Sequence, residues 1–191
     1  TSTKEMLYGL LCETRGPEAV FATHGNLNNH FGLPLSVLET RGDEEFVVLE
    51  MGMNHAGEIS LLSQICRPHH GLITSVAEVH IEFFNDVLEI AQAKLELADG
   101  MPAGGVLLYD ESSPGVDLAW EKSFVTGVRM GFFNARRANV SSGRQGLKFT
   151  WREREVQSPG YLHPVMAGNL LGALELLSAA GFGEDELIAA A

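Results

Sequence analysis

Four short apolar runs, each leading into polar residues, constrain what this chain can fold into more than anything else in it. They are AVFAT (19–23), FVVLEMG (46–52), GLITSV (71–76) and GGVLLYD (104–110). Runs that stay apolar, instead of alternating, suit strands covered on both faces. Between them lie segments with helical spacing. GEISLLSQIC (57–66) reads as a helix closed by Arg67 and Pro68. DVLEIAQAKLELADGM (86–101) reads as a longer helix with Val87, Ile90, Ala91, Lys94, Leu95 and Ala98 along one side. Residues 35–40 read as a short helix or turn, and residues 2–13 as an amphipathic helix carrying Met6, Leu7, Leu10 and Leu11. Strands and helices in this order predict an α/β fold, a mostly parallel sheet flanked by helices.

After residue 120 the pattern changes. FVTGVRMGFF, ANVSSGR and LKFTWRER read as strands, with a hairpin turn near Ser142–Gly146. Phe149 and Trp151 alternate with Lys148, Thr150 and Arg152, as in a half-exposed antiparallel sheet. Residues 164–181 return to helix and stop at Gly181. The expectation is a single domain over 1–191, with a parallel core (1–120), antiparallel strands (121–160) and a helical end (161–191). TSTKEMLYGLLCE starts inside a helix and EDELIAAA stops inside one, so a fragment of a longer protein is expected.

Composition narrows the function. A formal charge of -12 disfavours nucleic acid and anionic membrane surfaces, both of which call for a basic face. It leaves nucleotides open, because backbone amides and metal ions supply local positive potential. No apolar run approaches membrane-spanning length. Cys12 and Cys66 stand far apart and read as reduced thiols of a cytoplasmic protein. No histidine pair has metal-ligand spacing, which disfavours a histidine-based metal hydrolase.

Ligands of doubly wound sheets bind beyond the carboxyl ends of the strands, and polar residues of ligand type fall there. Glu50 ends the second run, His80 comes after the third, and the loop Asn26–Asn29 comes after the first. A carboxylate continuing VVL needs a partner or a cation if it is buried; otherwise it is a solvated or capping group. His80 alone reads as a loop histidine, and His55 as a ligand, a helix-start contact or a surface residue. Lys94, among alanines and leucines, either runs its stem along an apolar face to water or is buried with a depressed pKa, which makes it a nucleophile or a modification target. TSTKE has the form of the segment just after the lysine of a phosphate-binding loop, where a hydroxyl residue ligates magnesium and opens a helix.

Together these residues resemble a known family. TSTKEM, GNLNNHFGLPLSVL (25–38), VVLEMGMNHAGEI (47–59), RPHHGLITSVAEVHIEFF (67–84) and IAQAKLELADGMPAGGVLLYD (90–110) are similar in order and spacing to the central ATP-binding domain of the Mur ligases, with its P-loop NTPase-like fold, and most of all to the MurF branch. The resemblance is close over about the first 110 residues and looser beyond. It implies an ATP-dependent ligase of bacterial peptidoglycan synthesis that joins D-alanyl-D-alanine to UDP-MurNAc-tripeptide through an acyl phosphate. The cofactors implied are ATP and two Mg2+ ions.

The resemblance also implies residue roles. Thr1 and Glu50 would hold one magnesium ion on the nucleotide, and Glu50 and His80 a second. Lys94 would be carbamylated and support the second ion. Asn169 would meet the adenine. Asn26, Asn28, Asn29, Asn54 and His55 would contact substrate. The chain departs from the family at Phe83, at Asn85, in LLYDESS and in PGYLHPVMAGN. The amino- and carboxy-terminal domains of the full enzyme would lie outside these residues, and the enzyme would act as a monomer. Two alternatives stay open: another Mur or folylpolyglutamate-type amide ligase, and an inert nucleotide-binding module.

Overall fold

The computed structural model describes residues 1–77, 83–161 and 163–191. Helix α1 (Ser2–Arg15) buries Met6, Leu7, Leu10 and Leu11. It ends at Gly16, whose φ of 87° carries the chain out of the helix. Strand β1 (Val20–Ala22) is next, and after helix α2 (Gly32–Leu38) comes β2 (Phe46–Val48). β1 and β2 pair in parallel with Val20 opposite Phe46. Helix α3 (Glu58–Cys66) stops at Arg67 in the left-handed region, and β3 (His70–Ile73) leaves from there.

Helix α4 (Val87–Leu95) begins where the Asp86 side chain accepts the Glu89 amide. It tightens into a 3-10 turn over Glu96–Gly100 instead of continuing to residue 101. The tightening brings this turn against α3, so close that a Cβ on Gly100 would lie 2.0 Å from the Ser63 carbonyl oxygen. β4 (Val106–Asp110), α5 (Val116–Glu121) and β5 (Arg129–Phe133) complete the parallel part. β4 lies between β3 and β5 and is parallel to both.

The structure corrects one expectation. The run around residues 124–133 does not open the antiparallel section: β5 extends the parallel sheet, with Leu108 opposite Gly131. The reason is α5, a short crossover helix that buries Val116 and Ala119 and returns the chain to the same end of the sheet. The antiparallel sheet comprises β6 (Ser141–Gly143), β7 (Gly146–Trp151) and β8 (Arg154–Ser158). Gly143 faces Gly146 across a two-residue turn, inside the expected hairpin. Leu147, Phe149 and Trp151 point inward. Helices α6 (Val165–Ala179) and α7 (Glu184–Ala190) close the chain.

One core gathers α1, α6, α7 and the antiparallel sheet around Met6, Phe149, Trp151, Leu174 and Leu187. A second packs α4 and α5 on β3–β5 around Ile73, Ile90, Leu107 and Val116. Among the described residues β2 and β3 do not pair with each other. Between them lies a cavity of about 860 Å³, walled by both strands, by Leu7 and Leu11 of α1, and by Leu176 and Leu177 of α6. Among the described residues no helix is long and apolar enough to cross a membrane.

Candidate functional site

At one end of this cavity the wall turns polar. Thr1, Lys4, Asn28, Glu50, Gly52, Thr74 and Lys94 line it together. The topology accounts for their meeting. Parallel strands deliver their carboxyl ends to one edge, and α1, which runs back toward β1, starts at that same edge. Glu50 lies two residues beyond β2. Its Oε1 accepts hydrogen bonds from the Asn28 side-chain amide at 2.9 Å and from the Thr1 hydroxyl at 3.2 Å. Its Oε2 is buried and faces the Thr1 backbone nitrogen at 3.1 Å. Burial pushes the Glu50 pKa up, and the hydrogen bonds from the Asn28 amide and the Thr1 hydroxyl pull it down; a carboxyl holding those two donors is an anion at neutral pH.

Asn28 is fixed from two sides. Its backbone carbonyl accepts the Gly52 amide at 2.8 Å, and a Cβ on Gly52 would lie 3.1 Å from the Asn28 side chain. Glycine at 52 lets the loop after β1 lie flat on the loop after β2. Lys94 enters the cavity wall from the last turn of α4. Burial holds its pKa below the ordinary lysine value, and among the described residues no hydrogen bond or ion pair engages its ammonium. Lys94 is thus a half-buried amine that desolvation makes more acidic.

The remaining candidates divide. His80 lies outside the described residues. Asn29 spends its side chain locally, accepting the Phe31 and Gly32 amides to start α2. Asn26 is exposed and its carbonyl accepts the Asn28 amide. Asn54 and His55 do not line the cavity; their backbone amides bond to Glu58 Oε2, and the His55 ring packs on Phe83 with centroids 4.4 Å apart. Asn169 sits on α6 beside Met166, away from the cavity wall. Two residues escaped the sequence reading. Gly52 gave a signal only as part of MGMNH. Lys4 was in view inside TSTKE, but nothing in that string says that it is buried.

Among the described residues no three His, Cys, Asp or Glu side chains cluster. The hard oxygen donors do suit magnesium: a hydroxyl, a carboxylate and an amide oxygen. Chemically this is a covered parallel α/β domain with a cluster of oxygen donors at the strand ends.

The likeness to known proteins makes that class specific. The profile of the Mur ligase middle domain family matches residues 1–175, and the chain belongs to this family. It is 33% identical over 186 residues to the UDP-N-acetylmuramoyl-tripeptide–D-alanyl-D-alanine ligase of Bacillus subtilis (strain 168), a match covering 95% of this chain and 39% of the relative. A MurF crystal structure from Acinetobacter baumannii superposes with a TM-score of 0.87 at 25% identity, covering 100% of this chain and 42% of that one. The MurF ligase of Thermotoga maritima in complex with ADP superposes with a TM-score of 0.80 at 27% identity, covering 100% and 45%. The chain thus spans about two fifths of the length of these relatives.

Proposed function

We propose that this chain is the ATP-binding part of a ligase that joins D-alanyl-D-alanine to UDP-MurNAc-tripeptide in bacterial peptidoglycan synthesis. The observation that carries the reading is the anionic Glu50, held by Thr1 and Asn28 in a cavity wall that it shares with the half-buried Lys94. Relatives that span the chain bear the name of that ligase, and one of them is described in complex with ADP.

In this reaction the terminal carboxylate of the tripeptide takes the γ-phosphoryl group of ATP and ADP departs. The amine of D-alanyl-D-alanine then attacks the acyl carbon, losing a proton, and phosphate leaves. Positioning and charge neutralisation are most of what a protein supplies to such a transfer. Magnesium, when bound, neutralises phosphate charge. Thr1 Oγ1 and the Glu50 carboxylate would hold one ion, and Glu50 and His80 a second. Asn28 keeps Glu50 turned toward Thr1. Burial keeps Lys94 poised to lose its proton, and its neutral amine adds to carbon dioxide, forming a C–N bond and releasing one proton to water. The resulting carbamate is an anion that would support the second ion. Asn169 would meet the adenine, and Asn26, Asn29, Asn54 and His55 would contact substrate.

The test is the intact enzyme carrying Glu50→Gln, assayed for ligated product and for ADP release. A loss of about 100-fold or more is expected. Parental rates would overturn the reading, and turnover with a different acceptor amine in place of D-alanyl-D-alanine would move the chain to another amide ligase.

A further inference from the structure

Lys4 is among the few buried charged side chains of the molecule, with 4% of its surface exposed. Its Nζ donates to the carbonyl oxygens of Thr23 at 2.5 Å and Gly25 at 2.9 Å, the two residues that lead from β1 into the asparagine-rich loop. The carboxylate opposite it, Glu5 at 3.0 Å, is 58% exposed, so the pair is screened by water. A methionine would fill similar space without desolvating a charge, which makes a buried ammonium a poor device for stability alone. It is a good device for location. Carbonyl oxygens met by an ammonium fix the backbone that carries them, and here they fix a loop start at which Gly25 takes a φ of 59°.

The contacts form a closed circuit. Lys4 stands one turn beyond Thr1, the N-cap of α1. Lys4 holds the loop at residues 23 and 25, the loop presents Asn28, Asn28 holds Glu50, and Glu50 returns to Thr1. We propose that Lys4 is a positioning residue for the Glu50 site: it pins the 23–28 loop so that the Asn28 amide, and through it the Glu50 carboxylate, keeps its place relative to Thr1. The functional part of this proposal rests on the magnesium-nucleotide reading of Glu50.

The experiment uses Lys4→Met and Lys4→Arg, with Phe149→Leu, in the core that α1 shares with the antiparallel sheet, as a control for general loosening. In the 191-residue chain, hydrogen exchange is measured over residues 20–32 and over the β7–β8 hairpin. In the intact enzyme, the magnesium concentration for half-maximal rate is measured. Lys4→Met is expected to speed exchange in 20–32 but not in the hairpin, and to raise the magnesium requirement about 10-fold. Lys4→Arg, which keeps donors on the loop, is expected to do less of both. Phe149→Leu should lower thermal stability with no change in magnesium requirement. Unaltered exchange in 20–32 in both Lys4 variants would overturn the proposal, as would a magnesium requirement that moves no further than in the control. Full activity in Glu50→Gln would overturn the magnesium reading instead, and leave the exchange result to stand for the loop alone.

Discussion

β2 and β4 grow from similar strings, FVVLE and VLLYD, and end in different surroundings. Val106, Leu107, Leu108 and Tyr109 are all buried, Leu107 completely. Phe46 and Val48 are only partly covered, and Val47 is 45% exposed. The difference lies in their neighbours. β4 has a parallel strand on each edge, whereas among the described residues β2 pairs with β1 alone and turns its other edge to the cavity. The terminal carboxylates differ in the same way. Asp110 closes its own turn by accepting the Ser112 amide at 2.9 Å. Glu50 reaches across to two other elements. An apolar run specifies a strand, but the strand's neighbours decide whether it becomes core and whether its last residue becomes a site.

The largest effect expected from this contrast is on stability. Leu107→Asp should cost about 4 kcal/mol or more, because a completely buried carboxylate without a partner has no compensation. Val47→Asp should cost about 1 kcal/mol, since water already reaches that position. Urea unfolding of the two variants checks this, and equal losses would break the contrast between the strands. Next comes the pair of carboxylates. Against the large loss expected for Glu50→Gln, Asp110→Asn in the intact enzyme should stay within about threefold of the parental rate, because the asparagine oxygen can still accept the Ser112 amide.

The smallest effect concerns the open side of β2, where Lys94 joins the cavity wall. Burial holds its folded pKa below 10.5. The unfolded chain therefore binds this proton more tightly than the folded chain does. The resulting penalty is complete below the folded pKa and disappears as pH rises to the unfolded value. In buffer free of carbon dioxide, Lys94→Met should be more stable than the parent at pH 7, with the gap closing toward pH 10. Urea midpoints at the two pH values measure it, and a constant gap would show that desolvation of the ammonium is not the cause.

Much of the architecture was legible because periodicity and punctuation agree locally. The α1 stripe of Met6, Leu7, Leu10 and Leu11, the stop at Arg67, and the Phe149–Trp151 alternation all correspond to what they build. The direction of β5 was not legible, because a strand string carries no sign of being parallel; α5, six residues long, falls below the length at which helical periodicity stands out. In the site, Glu50 was marked by its place at the end of an apolar run and Lys94 by its apolar neighbours. Lys4 was hidden, since its partners are main-chain carbonyls, and no side-chain pattern reports those. Asn29 drew notice as an asparagine in a polar loop, yet its amide oxygen serves the first turn of α2.

Glu50 and Lys94 come to the cavity wall from supports far apart in the chain. Glu50 follows β2, whereas Lys94 sits on α4, which packs on β3–β5. A ligand that touched both groups would therefore bridge the two parallel sheets, and its fit would depend on both.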